Sequence, residues 1–175
     1  MTLPSGLPDH VANEEVVARH VFNRQHIASD ARDSAKKWAK PQAFLPQPSD
    51  EGWLFSVTRT LLLANEGAIQ RNGLAVGRIS NRGLKGSALL CALDIRETSM
   101  KDDEGGAVRN LDVQANEASD GSTPYHAHVL GFLPLPAGAN AKEYFKEASE
   151  ELARRTKERS FIKRTLPEEP WEIGE

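Results

Sequence analysis

Cysteine and long hydrophobic runs are nearly missing from this sequence. Its 175 residues include one cysteine, Cys91, which excludes an intramolecular disulfide and a zinc cluster built from several cysteines of one chain. The longest apolar runs, residues 61–64 and 129–133, are much shorter than the ~20 residues that cross a bilayer. Residues 1–10 contain neither Lys nor Arg, so we predict no secretory signal. These features predict a cytoplasmic protein that does not enter a membrane.

An excess of positive charge is also missing. The 22 Lys and Arg residues against 25 Asp and Glu residues give a net charge of −3, which argues against broad nucleic-acid binding, because polyanions favour basic surfaces. The hydrophobic fraction of 39%, with 13 glycines added, is ordinary for a globular domain. We predict a single α+β domain at residues 1–155, followed by a basic and then Pro-rich, acidic C-terminal tail at residues 156–175.

Familiar catalytic motifs are missing as well. The sequence contains no Gly-x-Ser-x-Gly, no Gly-rich phosphate loop, no Gly-x-Gly-x-x-Gly and no His-Glu-x-x-His. Cys91 lies on the apolar face of a predicted strand, between Leu89 and Leu93, and no cationic sequence neighbour is present to activate its thiol. We therefore expect a buried, structural cysteine and favour a function that does not involve catalysis.

The hydrophobic pattern predicts strands and helices in mixed order. Predicted strands lie at residues 42–45, 53–58, 87–96, 108–113 and 125–133. A short helix is predicted at residues 65–72, and Asn140 with Glu143 three residues later marks the start of an amphipathic helix. Residues 13–22 allow a helix or, after residue 15, a strand. We predict an α+β fold with a largely antiparallel sheet of about five strands, helices on one face and a C-terminal amphipathic helix.

His126 and His128 form a candidate metal site within one predicted strand. Side chains two residues apart share one face of a strand, so two imidazoles can approach one Zn²⁺ or Fe²⁺ if a third ligand is added. Asp112, His20 and His26 are the remaining donors by type, and none has the spacing of a known metal motif. We predict no cofactor, with a small metal-dependent hydrolase as the alternative.

Residues 154–164 form a strongly basic segment, in which Glu158 is the one acid. Its basic residues are Arg154, Arg155, Lys157, Arg159, Lys163 and Arg164. Such a segment with Phe161 embedded in it can follow a phosphate backbone and stack a base, or it can be the cationic end of a helix. We predict contacts to a partner protein, or alternatively to nucleic acid, from Arg154, Arg155, Arg159, Lys163 and Arg164.

The last residues form an acidic, Pro-rich segment with two large apolar side chains, Trp171 and Ile173. Segments of this type place apolar anchors in the groove of a partner, or fold back on their own domain. We predict that Trp171 and Ile173 are docking residues, with docking in cis and in trans both open.

Three stretches resemble a family of small uncharacterised bacterial proteins. They are residues 43–46 (Ala-Phe-Leu-Pro), 55–59 (Phe-Ser-Val-Thr-Arg) and 126–134 (His-Ala-His-Val-Leu-Gly-Phe-Leu-Pro). The resemblance implies a bacterial, cytoplasmic accessory protein without a settled activity, in which Ser56, Arg59 and His126 are important. Such relatives carry an acid after His-Ala, where this chain has His128. Our leading prediction is a non-catalytic, partner-binding accessory or regulatory protein of a bacterial system.

Overall fold

The structure is a computed structural model that describes residues 2–102, 105–106 and 108–172. Along the chain its strands are β1 (Val16–Val21), β2 (Ile27–Ser29), β3 (Lys37–Ala39), β4 (Gln47–Ser49), β5 (Gly52–Arg59), β6 (Gly86–Cys91), β7 (Ser99–Lys101), β8 (Val108–Asn110), β9 (Asp112–Ala115), β10 (His126–Leu130) and β11 (Phe161–Lys163). Its α-helices are α1 (Glu66–Ile79), α2 (Ala92–Arg96), α3 (Ala141–Tyr144) and α4 (Lys146–Glu158).

Seven of these strands form one antiparallel sheet, in the order β11-β6-β1-β5-β10-β9, with β4 paired to β5. Two small hairpins, β2–β3 and β7–β8, lie outside it. The predicted α+β fold with a largely antiparallel sheet is confirmed, with more strands than the five expected. The amphipathic helix is present as well, although Phe145 separates its first turn, α3, from α4.

One face of the sheet carries the main hydrophobic core. Its sheet residues include Val17, Phe55, Val57, Leu90, Ala127 and Val129, and α4 covers them with Ala148, Leu152 and Ala153. Four phenylalanines, Phe44, Phe55, Phe132 and Phe145, fill the space between, with ring centroids 5.6–6.0 Å apart. Burial of these aromatic rings accounts for a large share of the apolar surface removed from water.

Helix α1 packs on the opposite face, so the helices lie on both faces of the sheet and not on one. Its Ile69 meets Ala18 and Ile162 there. The predicted helix stops at residue 72, whereas α1 continues through Gly73 and Gly77 to Ile79. Both glycines are needed for close approach, because a Cβ at Gly77 would lie 2.2 Å from the backbone oxygen of Arg82. Tertiary packing thus outweighs the poor helix propensity of glycine.

Two predicted strands have different structures. Residues 42–44 belong to a 3-10 helix, Pro41–Phe44, and residue 45 follows its end, because a proline at a first helical position has the φ that a helix requires. The strand predicted at residues 87–96 ends at Cys91, whose backbone N–H donates to Asp94 Oδ2 at 3.2 Å. That hydrogen bond caps α2, and Leu93, which strand alternation would place on one apolar face with Cys91, is 42% exposed. Cys91 itself is half-buried, with its thiol donating to the carbonyl of Asn13.

The remaining uncertain segments are also settled. Residues 16–21 form strand β1, the second of the two structures that the sequence allowed. Within the region predicted as a tail, residues 156–158 complete α4 and Phe161–Lys163 pair with β6 as strand β11. The C-terminal part of the chain therefore contributes an edge strand to the sheet.

Candidate functional site

His126 and His128 project from the same face of β10, with ring centroids 4.8 Å apart. Nδ1 of His126 donates to the carbonyl of Asn116 at 3.0 Å, and burial lowers the pKa of His126 below its ordinary value. The side-chain amide of Asn116 and a carboxylate oxygen of Glu51 contact the His128 ring, at 3.0 and 3.4 Å. Nδ1 of His126 and the ring nitrogens of His128 therefore already have partners within the protein.

Among the described residues, no third side chain joins this pair as a metal ligand. Asp112 forms an ion pair with Arg96 at 2.8 Å, and His20 is buried beneath α1. In the described part of the chain, no group of three or more His, Cys, Asp or Glu side chains is placed to hold a metal ion. The geometry gives the metal-dependent hydrolase no support there.

The arginines of α4 and its end are engaged with acids. Arg154 pairs with Glu151 and Glu158 at 2.7 and 2.6 Å. Arg155 also binds Glu151, at 2.7 Å, while Arg159 pairs with Asp94. Hydrogen bonding to Arg154, followed by Arg155, lowers the pKa of Glu151 to about 2. The basic charge of this helix is therefore largely compensated. A phosphate backbone that bound these arginines would have to compete with the carboxylates.

The C-terminal segment folds back on its own domain. Arg164 holds Glu172 through two hydrogen bonds of 2.6 Å, and their side chains are only 10% and 6% exposed. This bond raises the pKa of Arg164 and lowers that of Glu172. Trp171 is half-buried in the adjoining 3-10 helix, and Ile173 lies outside the described residues. Up to residue 172, the structure therefore shows the C-terminal segment docked in cis, on its own domain.

Arg59 serves as an internal anchor. It is fully buried and pairs with Glu15 through two hydrogen bonds of 2.6 and 2.8 Å. Its Nη1 donates to the carbonyl of Pro8, and its Nη2, which also donates to Glu15, donates to that of His10, which fixes the segment before β1. Ser56 lies opposite His128 in the sheet. These contacts assign Arg59 a structural part in the fold.

Lys163, the remaining predicted contact, lies in a cleft of about 560 Å³ between the β2–β3 hairpin and β11, which we call the basic cleft. Its basic residues are Arg24, Lys37, Lys85, Lys163 and Arg164, against Glu168 as its acid. Its apolar residues are Ile27, Leu84, Phe161 and Leu166. The cleft thus combines an apolar lining with a rim of one dominant charge.

Several cations of the basic cleft lack an acidic partner. Among the described residues, no carboxylate lies within 4.0 Å of the charged nitrogens of Arg24, Lys37 or Lys163. Lys37 donates to the hydroxyl of Ser29 at 2.5 Å. Lys85 contributes to the lowered pKa of Glu172, after the larger effect of Arg164. The positive charge of the cleft is therefore only partly compensated.

The sequence indicated only the Lys163 side of this cleft. Arg24, Lys37 and Lys85 lie in three separate segments, and only the pairing of β2 with β3 and of β11 with β6 brings them together. Phe161 closes the floor over Gly86, where a Cβ would lie 2.5 Å from the Phe161 ring. The glycine at position 86 is therefore the local sequence feature that is consistent with the packing of Phe161.

Comparison with known proteins gave no match. No protein-family model fits the chain, and neither a curated protein nor a solved structure matches it. The resemblance to small bacterial proteins therefore stays a prediction. No helix in the described ranges is both long and apolar enough to cross a bilayer.

Proposed function

We propose that this protein is a non-catalytic binding protein that holds an acidic, extended segment of a partner protein in the basic cleft. The observation that carries the proposal is the convergence of Arg24, Lys37 and Lys163 on one cleft without a carboxylate of the described residues in contact with them. An acidic segment would supply the missing countercharge. Charge complementarity of this kind raises association rates and selects partners. The protein would then act as an accessory or regulatory subunit.

The edge strand beside the cleft supports an extended ligand. β11 pairs with β6 on one side, and no other described strand pairs with it. An edge strand offers backbone N–H and C=O groups to an added strand, and neighbouring side-chain pockets provide selectivity. Phe161, Ile27 and Leu166 supply apolar surface for side chains of such a segment. The ligand that fits best is an acidic peptide with some apolar residues.

Nucleic-acid binding through residues 154–164 has less support. Arg154, Arg155 and Arg159 are paired with carboxylates, so they do not form a free track for phosphates. The basic cleft offers only a few cations without an acidic partner among the described residues, whereas polynucleotide affinity grows with the number of phosphates contacted.

Fluorescence anisotropy with a labelled oligoglutamate peptide tests the proposal directly. Replacing Lys37 and Lys163 together (K37E with K163E) should weaken binding by about tenfold or more, because two favourable charges become repulsive. The matched control is Lys142→Glu, a charge reversal at an exposed lysine on α3. That variant should bind the peptide about as well as the unmodified protein.

An oligothymidylate of the same length separates the two partner classes. Preference for the peptide supports the proposal. Tighter binding of the oligothymidylate, with a steep fall in affinity as salt is added, would replace it with nucleic-acid binding. Equal weakening by the cleft variant and by the control variant would show non-specific charge attraction and refute the assignment to the cleft.

A further inference from the structure

Strands β1 and β5 separate in the middle of the sheet. β1 pairs with β6 along all six residues, but its register with β5 covers only Val17↔Arg59 and Ala18↔Thr58. The next residue, Arg19, extends its side chain where the pairing stops. Its Nη1 donates to the backbone carbonyl of Ser56 and its Nε to that of Ala43, both at 2.8 Å. The guanidinium thus bridges β5 and the 3-10 helix Pro41–Phe44.

Arg19 is a cation without an acidic partner among the described residues. In the described part of the chain, no carboxylate lies within 4.0 Å of its guanidinium, and its Nη2 makes no hydrogen bond. Burial, followed by the nearby charge of Arg82, lowers the pKa of Arg19 to about 10. The side chain therefore remains protonated at neutral pH while part of its hydration is removed. An anion in contact with it would offset that cost.

The Arg19 side chain lines a cleft of about 410 Å³, which we call the Arg19 cleft. Arg82, on the same cleft, holds its guanidinium 4.9 Å from the ring centroid of Phe22. His26 and Gln47 are further polar side chains of the lining, and none of the described residues lining it is an Asp or a Glu. Two arginines without a neighbouring acid make the cleft attractive to a small anion.

Gln42 adds a second requirement. It also lines the Arg19 cleft, and its Oε1 is buried without a hydrogen-bond partner among the described residues. A buried acceptor that lacks a donor is costly, because its contact with water has been lost and not replaced. Gln42 also lines a second cleft, against α3 and α4, so a hydroxyl or amino group of a ligand in the Arg19 cleft would satisfy this oxygen once the Gln42 side chain turns towards it. The cleft volume is in the range of sites for small organic molecules.

We infer that the Arg19 cleft binds a small organic anion, whose phosphate or carboxylate contacts Arg19 and Arg82 and whose hydroxyl or amino group donates to Gln42. The guanidinium of arginine suits this contact because its planar fork matches both carboxylate and phosphate oxygens. The inference is independent of peptide binding in the basic cleft, since Lys37 and Lys163 do not line the Arg19 cleft.

Isothermal titration calorimetry of the full chain tests the inference with three probes: inorganic phosphate, glycerol 3-phosphate and malate. Binding of glycerol 3-phosphate or of malate identifies phosphate or carboxylate as the recognised group. Each should bind more tightly than inorganic phosphate, because inorganic phosphate lacks the organic portion that fills the cleft beside Gln42. Arg82→Gln should weaken binding severalfold, and Arg19→Gln by about tenfold or more.

The control is Arg78→Gln, at an exposed arginine near the end of α1 that does not line the Arg19 cleft. It should leave affinity unchanged. Arg19 bridges two backbone segments, so the affinity of Arg19→Gln is compared only if its circular dichroism spectrum matches that of the unmodified protein. If the spectra differ, the affinity of Arg82→Gln is the test of the inference. Absence of heat with all three probes up to about 10 mM, which corresponds to binding weaker than about −3 kcal/mol, would overturn the inference. Equal affinities of Arg82→Gln and the unmodified protein would overturn it as well.

Discussion

The buried imidazole of His20 should make the stability of this protein depend on pH. His20 is 6% exposed and lies between the sheet and α1. Its Nδ1 is 2.8 Å from the Ser87 hydroxyl, and its Nε2 is 3.0 Å from that of Thr58 and 3.1 Å from Asn72 Oδ1. Burial lowers the pKa of His20 to about 4, although the hydrogen bond to Asn72 opposes part of this effect.

The sign of the effect follows from proton binding. Below its ordinary pKa of 6.5 the histidine of the unfolded chain takes up a proton, while that of the folded protein stays neutral until the pH approaches 4. The free energy of unfolding therefore falls as the pH falls from about 6.5 towards 4. At about 1.4 kcal/mol per pKa unit, the full loss is about 3 kcal/mol. Above pH 6.5 this histidine contributes no pH dependence.

Urea denaturation at several values between about pH 7 and pH 4 measures this loss. His20→Gln cannot titrate, so its unfolding free energy should fall by about 3 kcal/mol less than that of the unmodified protein over this interval. The difference between the two profiles removes the contribution of the other titrating groups. His10→Gln, at an exposed histidine, should leave the profile unchanged. Parallel profiles for the His20 variant and the unmodified protein would refute the reasoning.

Three further predictions concern packing and the C-terminal segment. Arg59→Met leaves Glu15 buried without its partner and should lower the free energy of unfolding by about 3–5 kcal/mol; a loss below about 1 kcal/mol in urea denaturation would contradict the anchoring part of Arg59. Gly77→Ala should cost about 1–3 kcal/mol because its Cβ would meet a backbone oxygen. On the same helix, Gly67→Ala meets only side-chain ends and should be neutral or stabilising by up to about 1 kcal/mol, so equal effects of the two variants would argue against the packing. Arg164→Gln removes the contact that holds the C-terminal segment and should speed proteolytic cleavage within residues 165–172, measured by mass spectrometry of a limited digest; an unchanged digest would show that other contacts hold the segment.

The fold class was predictable because local patterns express it directly. Aromatic and β-branched residues along 53–58, the apolar and polar order along 126–130, and the Asn140 cap act within a few residues of sequence, and the structure keeps all three. The length of α1 was not predictable in this way. Gly73 and Gly77 lower helix propensity, yet the contacts that favour them come from β1 and from residue 82.

The candidate sites show the same division between local and distant contacts. Lys163 belongs to a basic segment that is visible in the sequence, but the pairing of distant strands supplies Arg24 and Lys37. Glu151 precedes Arg155 by four residues, a spacing that favours an ion pair on a helix, and the pair is present, whereas the sequence gave no sign that Asp94 also pairs with Arg155. Arg19 left a local signal, a basic residue within the apolar strand of residues 16–21.

Mapping of the peptide contact by NMR tests the central claim most directly. Titration of the isotope-labelled protein with the oligoglutamate peptide should shift amide resonances of β11, of the β2–β3 hairpin and of residues 84–85, which line the basic cleft. Amides on the outer side of α1 and of β10 should stay unshifted. Shifts confined to the His126–His128 face, or spread evenly over exposed lysines, would contradict binding in the basic cleft.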